Sequence, residues 1–372
     1  MVLSKGKTRR ILHVTEAMGG GVSSALFDYV RHTPELEHHL LFVSRPETKA
    51  LGEQWRELFE SVVELPAGHF QRIREVRSQL KRLRPDVVHS HSSFAGFYAR
   101  LAALKSRKLE QVHTPHCYAF ERLDLSAAIR FALRGIEAVL SRNTTLIAGC
   151  SPREVALAER WPLSCRASYL PNLAPKVELS GSEEDSVSVR TEVLRVVGAG
   201  RLGAQKDPEF FISALRGLRK AGYHVEATWV GGGDETLAHH LEEAGVKVTG
   251  WLPRAEVFRT FNCQDIYLHT AAWEGFPLAV LEASALHLAT VVRDIPAFEG
   301  IDLPLKVKTS AELVSLWDAL RDPFYRADAV KKAQFALRSN TVQAQREALL
   351  KVYSVELSAH HAVSHSSVGT TR

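Results

Sequence analysis

VLRVVGAGRLGAQKDPEFFISALRGLRKAGYHVEATWVGGG, residues 193–233, reads as strand, loop, helix, strand, and that order decides the fold class. A β-branched run ends in glycines, Asp207 and Pro208 supply an N-cap and a first helical residue, and VEATWVGG returns as a second strand. Such a unit belongs to a parallel sheet with crossover helices. Gly198, Gly200 and Gly203 match GxGxxG. We reject a dinucleotide fingerprint, because its glycines open the helix itself, whereas here the helix starts at Asp207 and the next strand ends in glycines rather than a ribose-binding acid. The loop also carries Arg201 and Lys206; two cations at a strand end suit a diphosphate, and a solvated basic loop is the alternative.

Outward from this unit the alternation continues through VKVTG, a short helix after Pro253, DIYLHT, a helix at Pro277 and ATVVR, with helical patterns at 311–321, 325–338 and 341–357. Toward the N-terminus, LAPKVELSGSEEDSVSVRTE breaks the periodicity as a linker, 173–193. Before it lies a second alternating series: RILHVT, a helix from about Val22, HLLFVS, a helix near Leu51, SVVEL, a helix over 71–84, DVVHSH, a helix from Phe94, EQVHT, a long helix from about Ser126, TLIAGC and a short helix opened by Ser151 and Pro152. The expectation is an α/β protein of two doubly wound Rossmann-like domains, 1–172 and 194–340, with a disordered tail at 358–372. In such sheets ligands bind at the carboxyl ends of the strands, so the chemistry is expected in strand-to-helix loops facing a central cleft.

The 372 residues carry a formal charge of +5, a modest excess that suits an anionic partner without naming one. Four cysteines without a CxxC pair imply neither a disulfide framework nor a zinc site, and a reducing cytoplasm is expected. The N-terminus lacks a signal-peptide apolar region, and the longest nearly apolar run, from Leu278, is interrupted by Glu282 and His287, which excludes a spanning helix there.

In AAWEGFPLAVLEA, Glu274 precedes a turn, Pro277 suits a first helical position and Glu282 falls in the helix. Free N–H groups at that helix start suit a phosphate, and flanking carboxylates accept hydrogen bonds from sugar hydroxyls. Gly19, Gly20 and Gly21 between the first strand and helix allow backbone amides to approach a ligand, or serve only a tight turn. His89, His91, His113 and His116 gather at two strand ends, but without HExxH or CxxC a metal is disfavoured; His116, after Pro115, is the better catalytic candidate. Helix 71–84 carries six basic residues against Glu75, so it either attracts an anionic leaflet or shows water an ordinary basic face. It has no interleaved aromatics, which disfavours nucleic acid.

GGGVSS, TPHCYAF, GRLGAQKD and EGFPLAVLE, in that order, resemble the retaining GT-B glycosyltransferases of the family 4 type, many of which build bacterial surface polysaccharides. The resemblance implies that Arg201 and Lys206 hold the diphosphate of a nucleotide-sugar (UDP- or GDP-), Glu274 contacts the sugar and Glu282 the ribose. It places Gly20 and Gly21 against the donor phosphate and acceptor side, and His116 beside the transferred sugar. Gly275, Phe276, Pro277 and Leu278 complete the donor site, with no metal and no cofactor, and the last helix, about 341–357, crosses back to the N-terminal domain. The acceptor implied is a hydroxyl of a lipid-linked saccharide, reached by a cytoplasmic enzyme peripheral to the membrane. The chain departs from the pattern after Glu282, with His287 and Ala289 where Gly and Pro are common and a shortened GIDLPLKVK. An epimerase of the same fold, a non-catalytic sugar-nucleotide binder and an NAD-dependent oxidoreductase are the alternatives.

Overall fold

The computed structural model describes residues 8–16, 18–45, 48, 51–175 and 192–354. Most of the linker and the whole tail 358–372 lie outside these residues. The first domain runs β1 (Arg10–Thr15), α1 (Gly20–Arg31), β2 (Glu37–Phe42), β3 (Ser61–Glu64), α2 (His69–Leu83), β4 (Val87–His91), α3 (Ser93–Ala102), β5 (Glu110–Thr114), α4 (Ala127–Ser141), β6 (Leu146–Gly149), α5 (Pro152–Glu159) and β7 (Ala167–Tyr169). The second runs β8 (Val193–Ala199), α6 (Pro208–Lys220), β9 (His224–Val230), α7 (Glu235–Glu243), β10 (Lys247–Val248), α8 (Arg254–Asn262), β11 (Ile266–His269), α9 (Leu278–Ala285), β12 (Ala289–Arg293) and β13 (Lys306–Val307), followed by α10 (Ser310–Arg321), α11 (Pro323–Ala336) and α12 (Val342–Val352).

Both sheets are wholly parallel, ordered β3-β2-β1-β4-β5-β6-β7 and β10-β9-β8-β11-β12-β13. The order reverses between β1 and β4 and between β8 and β11, and a crevice opens beyond the carboxyl ends of strands at such a reversal. The loops after β8 and β11 carry Lys206 and Glu274, and the one after β1 ends where α1 starts at Gly20. Helices cover both faces, so central strands are buried throughout and read as continuous runs rather than alternation.

The helix starts follow their caps. Asp207 accepts from Phe210 N at 3.2 Å ahead of Pro208, and Ser151, Thr309 and Thr341 cap α5, α10 and α12. α12 packs on the first domain: Leu349, Val352 and Tyr353 join a core with Ile11, Ala25 and Tyr29, and Arg346 forms a forked pair with Glu35 at 2.6 and 3.0 Å. Burial of side chains this size stabilises by about 1.5–3 kcal/mol each, enough to hold the crossing helix in place.

Several expectations shift. Gly20 and Gly21 lie in the first turn of α1, because the helix begins two residues before Val22. Pro277 is the N-cap of α9 rather than its first helical residue. Of the helix expected near Leu51, Thr48 is helical and residues 46, 47, 49 and 50 lie outside the described ones, and a short 3-10 turn, Gln54–Leu58, follows. Strands β7 and β13, three and two residues long, are too short for periodicity to reveal.

The basic helix α2 buries Val76 and Leu80 against the sheet, and its arginines are partly tied down: Arg77 donates to Ala102 O at 2.8 Å and Arg72 to Tyr98 Oη at 3.1 Å. α4 presents a run of apolar side chains outward, with Phe131 81% and Val139 64% exposed and Ile129 and Ile136 beside them, and α2 itself exposes Phe70 at its amino end.

Candidate active site

Lys206 is placed by the loop that follows β8. Its carbonyl accepts from Thr270 Oγ1 at 2.6 Å, and Gln205 O accepts from Ala272 N at 2.8 Å, so this loop is tied to the one after β11. Gly200, at φ 139°, makes room for the lysine stem: a Cβ there would lie 2.6–2.8 Å from Lys206 Cε, Cδ and Cγ. The φ of 139° and this close approach of the lysine stem both favour glycine at 200. The ammonium is paired with Glu274 Oε1, and Gln205 Nε2 reaches Glu274 Oε2 at 3.3 Å.

Arg201 takes a different neighbour. Its guanidinium lies 5.9 Å from the Trp251 ring, on the β9–β10 side of the loop, so Lys206 and Arg201 are held on opposite flanks. Glu282, on α9, is half-buried with Arg254 Nη2 3.5 Å away; desolvation pushes its carboxyl up, the arginine opposes this, and Asp28 on α1 adds to it. The first domain therefore contributes charge beside the second domain's site.

The two domains meet at Gly275. A Cβ there would stand 2.6 Å from Cys117 N, 2.9 Å from the His116 carbonyl carbon and 2.9 Å from Glu154 Oε1. His116 and Cys117 both have left-handed backbone, φ 48° and 86°, a combination costly for residues with side chains. The buried Glu154 holds them there, accepting from Cys117 N at 2.6 Å and Cys150 N at 2.8 Å. Nearby, Asn172 Nδ2 donates to Phe276 O at 3.1 Å, and the position of a Cβ on Gly21 is 3.5 Å from Leu278 Cδ1. His116, Gly275, Glu274 and Lys206 thus form one contiguous seam, with Gly21, Phe276, Pro277 and Leu278 alongside.

From Glu274 a cleft of about 410 Å³ runs outward between Trp273 and Pro296 on one side and Arg130, Phe131 and Arg134 of α4 on the other.

His13, His89 and His91 are the one close cluster of potential metal ligands among the described residues, and each of their ring nitrogens already faces a hydrogen-bond partner within 3.3 Å. His113 meets Ser90 instead, and His239 and His240 are exposed beside Glu243 and Glu209. Sequence reasoning missed Glu154, Gln205, Arg254, Asn172 and the row His13–His38. Only Glu154 carries a local signal, the Ser151-x-x-Glu154 spacing of a capping box.

Residues 20–172 match the Glycosyl transferase 4-like domain family and residues 193–313 match the family Glycosyl transferases group 1. The chain is a GT-B glycosyltransferase. The Anabaena HepE structure in complex with UDP and glucose shares the fold at a TM-score of 0.74 and 17% identity, covering 93% of this chain and 99% of that one. A UDP-Gal:alpha-D-GlcNAc-diphosphoundecaprenol alpha-1,3-galactosyltransferase from Escherichia coli is 25% identical over 58% of this chain and 59% of its own length. This glycosyltransferase therefore spans about three-fifths of that relative. A Bacillus subtilis protein named as a glycosyltransferase, EpsF, is 24% identical over 95% of this chain and 98% of its own length. Among the described residues no helix is long and apolar enough to cross a membrane.

Proposed function

We propose that the enzyme transfers a sugar, with retained configuration, from a UDP-sugar to a hydroxyl of a lipid-linked saccharide at the cytoplasmic membrane face. The observation that carries the reading is the seam at Gly275, which joins the Lys206–Glu274 pair of one domain to the His116 turn of the other. The α9 amino end and Lys206 take the diphosphate, with Arg201 on the outer flank; Glu274 and His116 flank the sugar, and Glu282 accepts from the ribose. The C1–O bond to phosphate breaks as the bond from C1 to the acceptor oxygen forms, and charge builds on the departing diphosphate beside Lys206.

Retention fits the absence of a competent protein base at His116. Burial pushes this imidazole down to about 4, too weak to take the acceptor proton near neutrality, so the proton passes to the leaving phosphate oxygen on the same face. We further propose that the reaction needs no metal, the lysine and helix end neutralising the phosphate charge. The UDP-galactosyltransferase and UDP-bound HepE comparisons favour UDP over GDP. They also favour transfer over a same-fold epimerase or an NAD enzyme.

The lipid-linked acceptor is favoured by the cleft, which leads from Glu274 to the exposed apolar face of α4. Arg130 and Arg134 beside that face suit an anionic leaflet. The test incubates the enzyme with UDP-galactose, UDP-glucose or GDP-mannose and a polyprenyl-diphosphate N-acetylglucosamine. A disaccharide with the donor's anomeric configuration is expected with a UDP-sugar. An isomerised donor formed without acceptor would instead establish the epimerase. Flotation with phosphatidylglycerol vesicles should fall at least tenfold for Phe131→Glu and stay unchanged for Lys81→Glu on α2; the reverse ranking removes α4 from the proposal.

A further inference from the structure

A row of buried imidazoles crosses three adjacent strands and ends on His116. His38 Nδ1 and His13 Nε2 are 3.0 Å apart, His13 Nδ1 and His91 Nε2 3.1 Å, and His91 Nδ1 and His116 Nε2 3.3 Å. His38 comes from β2, His13 from β1 and His91 from β4, which lie side by side in the sheet, and His116 from the turn after β5. Burial drives His13 and His91 well below the ordinary histidine range and His38 and His116 down to about 4, so near neutral pH all four rings are uncharged. An uncharged imidazole has one nitrogen that donates and one that accepts.

The inner end of the row sets its direction. His38 Nε2 lies 3.1 Å from Thr33 O and 3.0 Å from Thr33 Oγ1, and that hydroxyl already donates its proton to Tyr29 O at 2.7 Å. Both atoms offer lone pairs alone, so His38 Nε2 must carry the hydrogen and its Nδ1 must accept. His13 then donates through Nε2 and accepts at Nδ1, and His91 does the same. His116 therefore donates through Nε2, which leaves its Nδ1 bare.

We propose that this row fixes His116 as its Nε2–H tautomer, so that Nδ1 accepts a hydrogen bond from a hydroxyl of the sugar being transferred. His38, His13 and His91 act as positioning residues for donor-sugar recognition. The sugar contact rests on the UDP-sugar reading above; the tautomer does not. No atom of the described chain is hydrogen-bonded to His116 Nδ1, the ring is partly exposed, and its backbone packs on Gly275 next to Glu274. The row is not a conduit for protons, because it stops at a buried carbonyl oxygen that passes nothing on. Its design is that of the second residue behind many functional histidines, where the partner of one nitrogen decides what the other does.

The experiment reads the ring nitrogens by long-range proton–nitrogen correlation in the 15N-labelled protein without ligand, the His116 signals assigned by their loss in His116→Gln. The expected spectrum has a protonated Nε2 and a bare Nδ1. In His38→Phe, which removes the acceptor for His13, His116 should become a mixture of tautomers. The preference for UDP-galactose over UDP in calorimetric titration should then fall about fivefold to tenfold, the range of one neutral hydrogen bond. His38→Asn, whose Oδ1 again accepts from His13, should restore both readouts. A wild-type His116 protonated at Nδ1 overturns the proposal, even where His38→Phe does not fold. So do an unchanged tautomer and an unchanged preference in a folded His38→Phe. If neither UDP nor UDP-galactose binds, the donor assignment and the sugar contact fail together, while the ligand-free spectrum decides the tautomer separately.

Discussion

Lys206→Met separates what the lysine does in the resting enzyme from what it does during transfer. Methionine keeps an unbranched stem that fits the space beside Gly200, so the substitution removes the ammonium and little packing. At rest, Glu274 loses its ion-pair partner and keeps Gln205 Nε2 at 3.3 Å. The pair is partly shielded, the two side chains being 19% and 10% exposed, so its loss is expected to cost about 1–2 kcal/mol of stability, between the surface and buried limits. In the proposed reaction the ammonium faces a diphosphate whose charge grows as the glycosidic bond breaks. A preorganised donor at such a charge is worth roughly 3–4 kcal/mol, so kcat/KM should fall by about 10²–10³. The loss should sit mainly in kcat, because the charge it opposes is largest in the transition state. Nucleotide release measured over a donor series, beside thermal melting of the same preparations, gives both quantities. A double-mutant cycle with Glu274→Gln should show coupling above about 0.5 kcal/mol. A Lys206→Met enzyme within twofold of wild type in kcat/KM refutes the leaving-group role outright.

Gly275→Ala should drive apart the seam between the domains, since its Cβ would meet Cys117 N at 2.6 Å. Overpacking of this kind typically costs about 1–3 kcal/mol, to be read as a lower Tm with at least tenfold lower turnover, and an enzyme normal in both shows that the domains do not close there. Arg100→Met leaves Glu137, 7% exposed and held by two bonds of 2.9 and 3.0 Å, without its partner; the expected loss is about 3–5 kcal/mol in urea unfolding, with normal turnover of the folded fraction. An unchanged urea midpoint would remove that pair from the account of how α4 is attached. The His38 pKa of about 4 lies below its unfolded value near 6.5, so the unfolded chain binds the extra proton and stability is full above pH 6.5 and lost as pH falls toward 4. That amounts to about 2 kcal/mol by pH 5. Buried Glu154 and half-buried Glu282 act in the opposite sense, so the comparison is between variants: the drop in Tm from pH 7 to pH 5 should be smaller in His38→Asn, and equal drops would count against it.

The second domain's part of the site was legible because its signals are local. Asp207-Pro208 and the turn before Leu278 mark where helices begin, and the residues just ahead of a helix start are those that reach a ligand at a strand end. The histidine row was not legible, because His38, His13 and His91 become neighbours only through a strand order that chain order does not give. Their strands are buried on both faces, so no alternation marks which residues point together. The charge on 71–84 drew attention to a helix whose arginines partly bind their own protein. The apolar face of α4 looked like any core-facing stripe, since periodicity says that a helix has such a face and not what covers it.

The strained turn at His116 and Cys117 is shaped by both domains. Its left-handed residues are held by Glu154 from within the first domain, yet the space they occupy is the space that Gly275 of the second domain leaves open. The pair on Lys206 reaches the same point from the opposite side through Glu274. On the proposed reading, a donor bound to the second domain alone would have its phosphate held but one flank of its sugar bare. On that reading the turn supplies the flank in a conformation already held by a buried carboxylate, so little is left to organise when the substrate arrives.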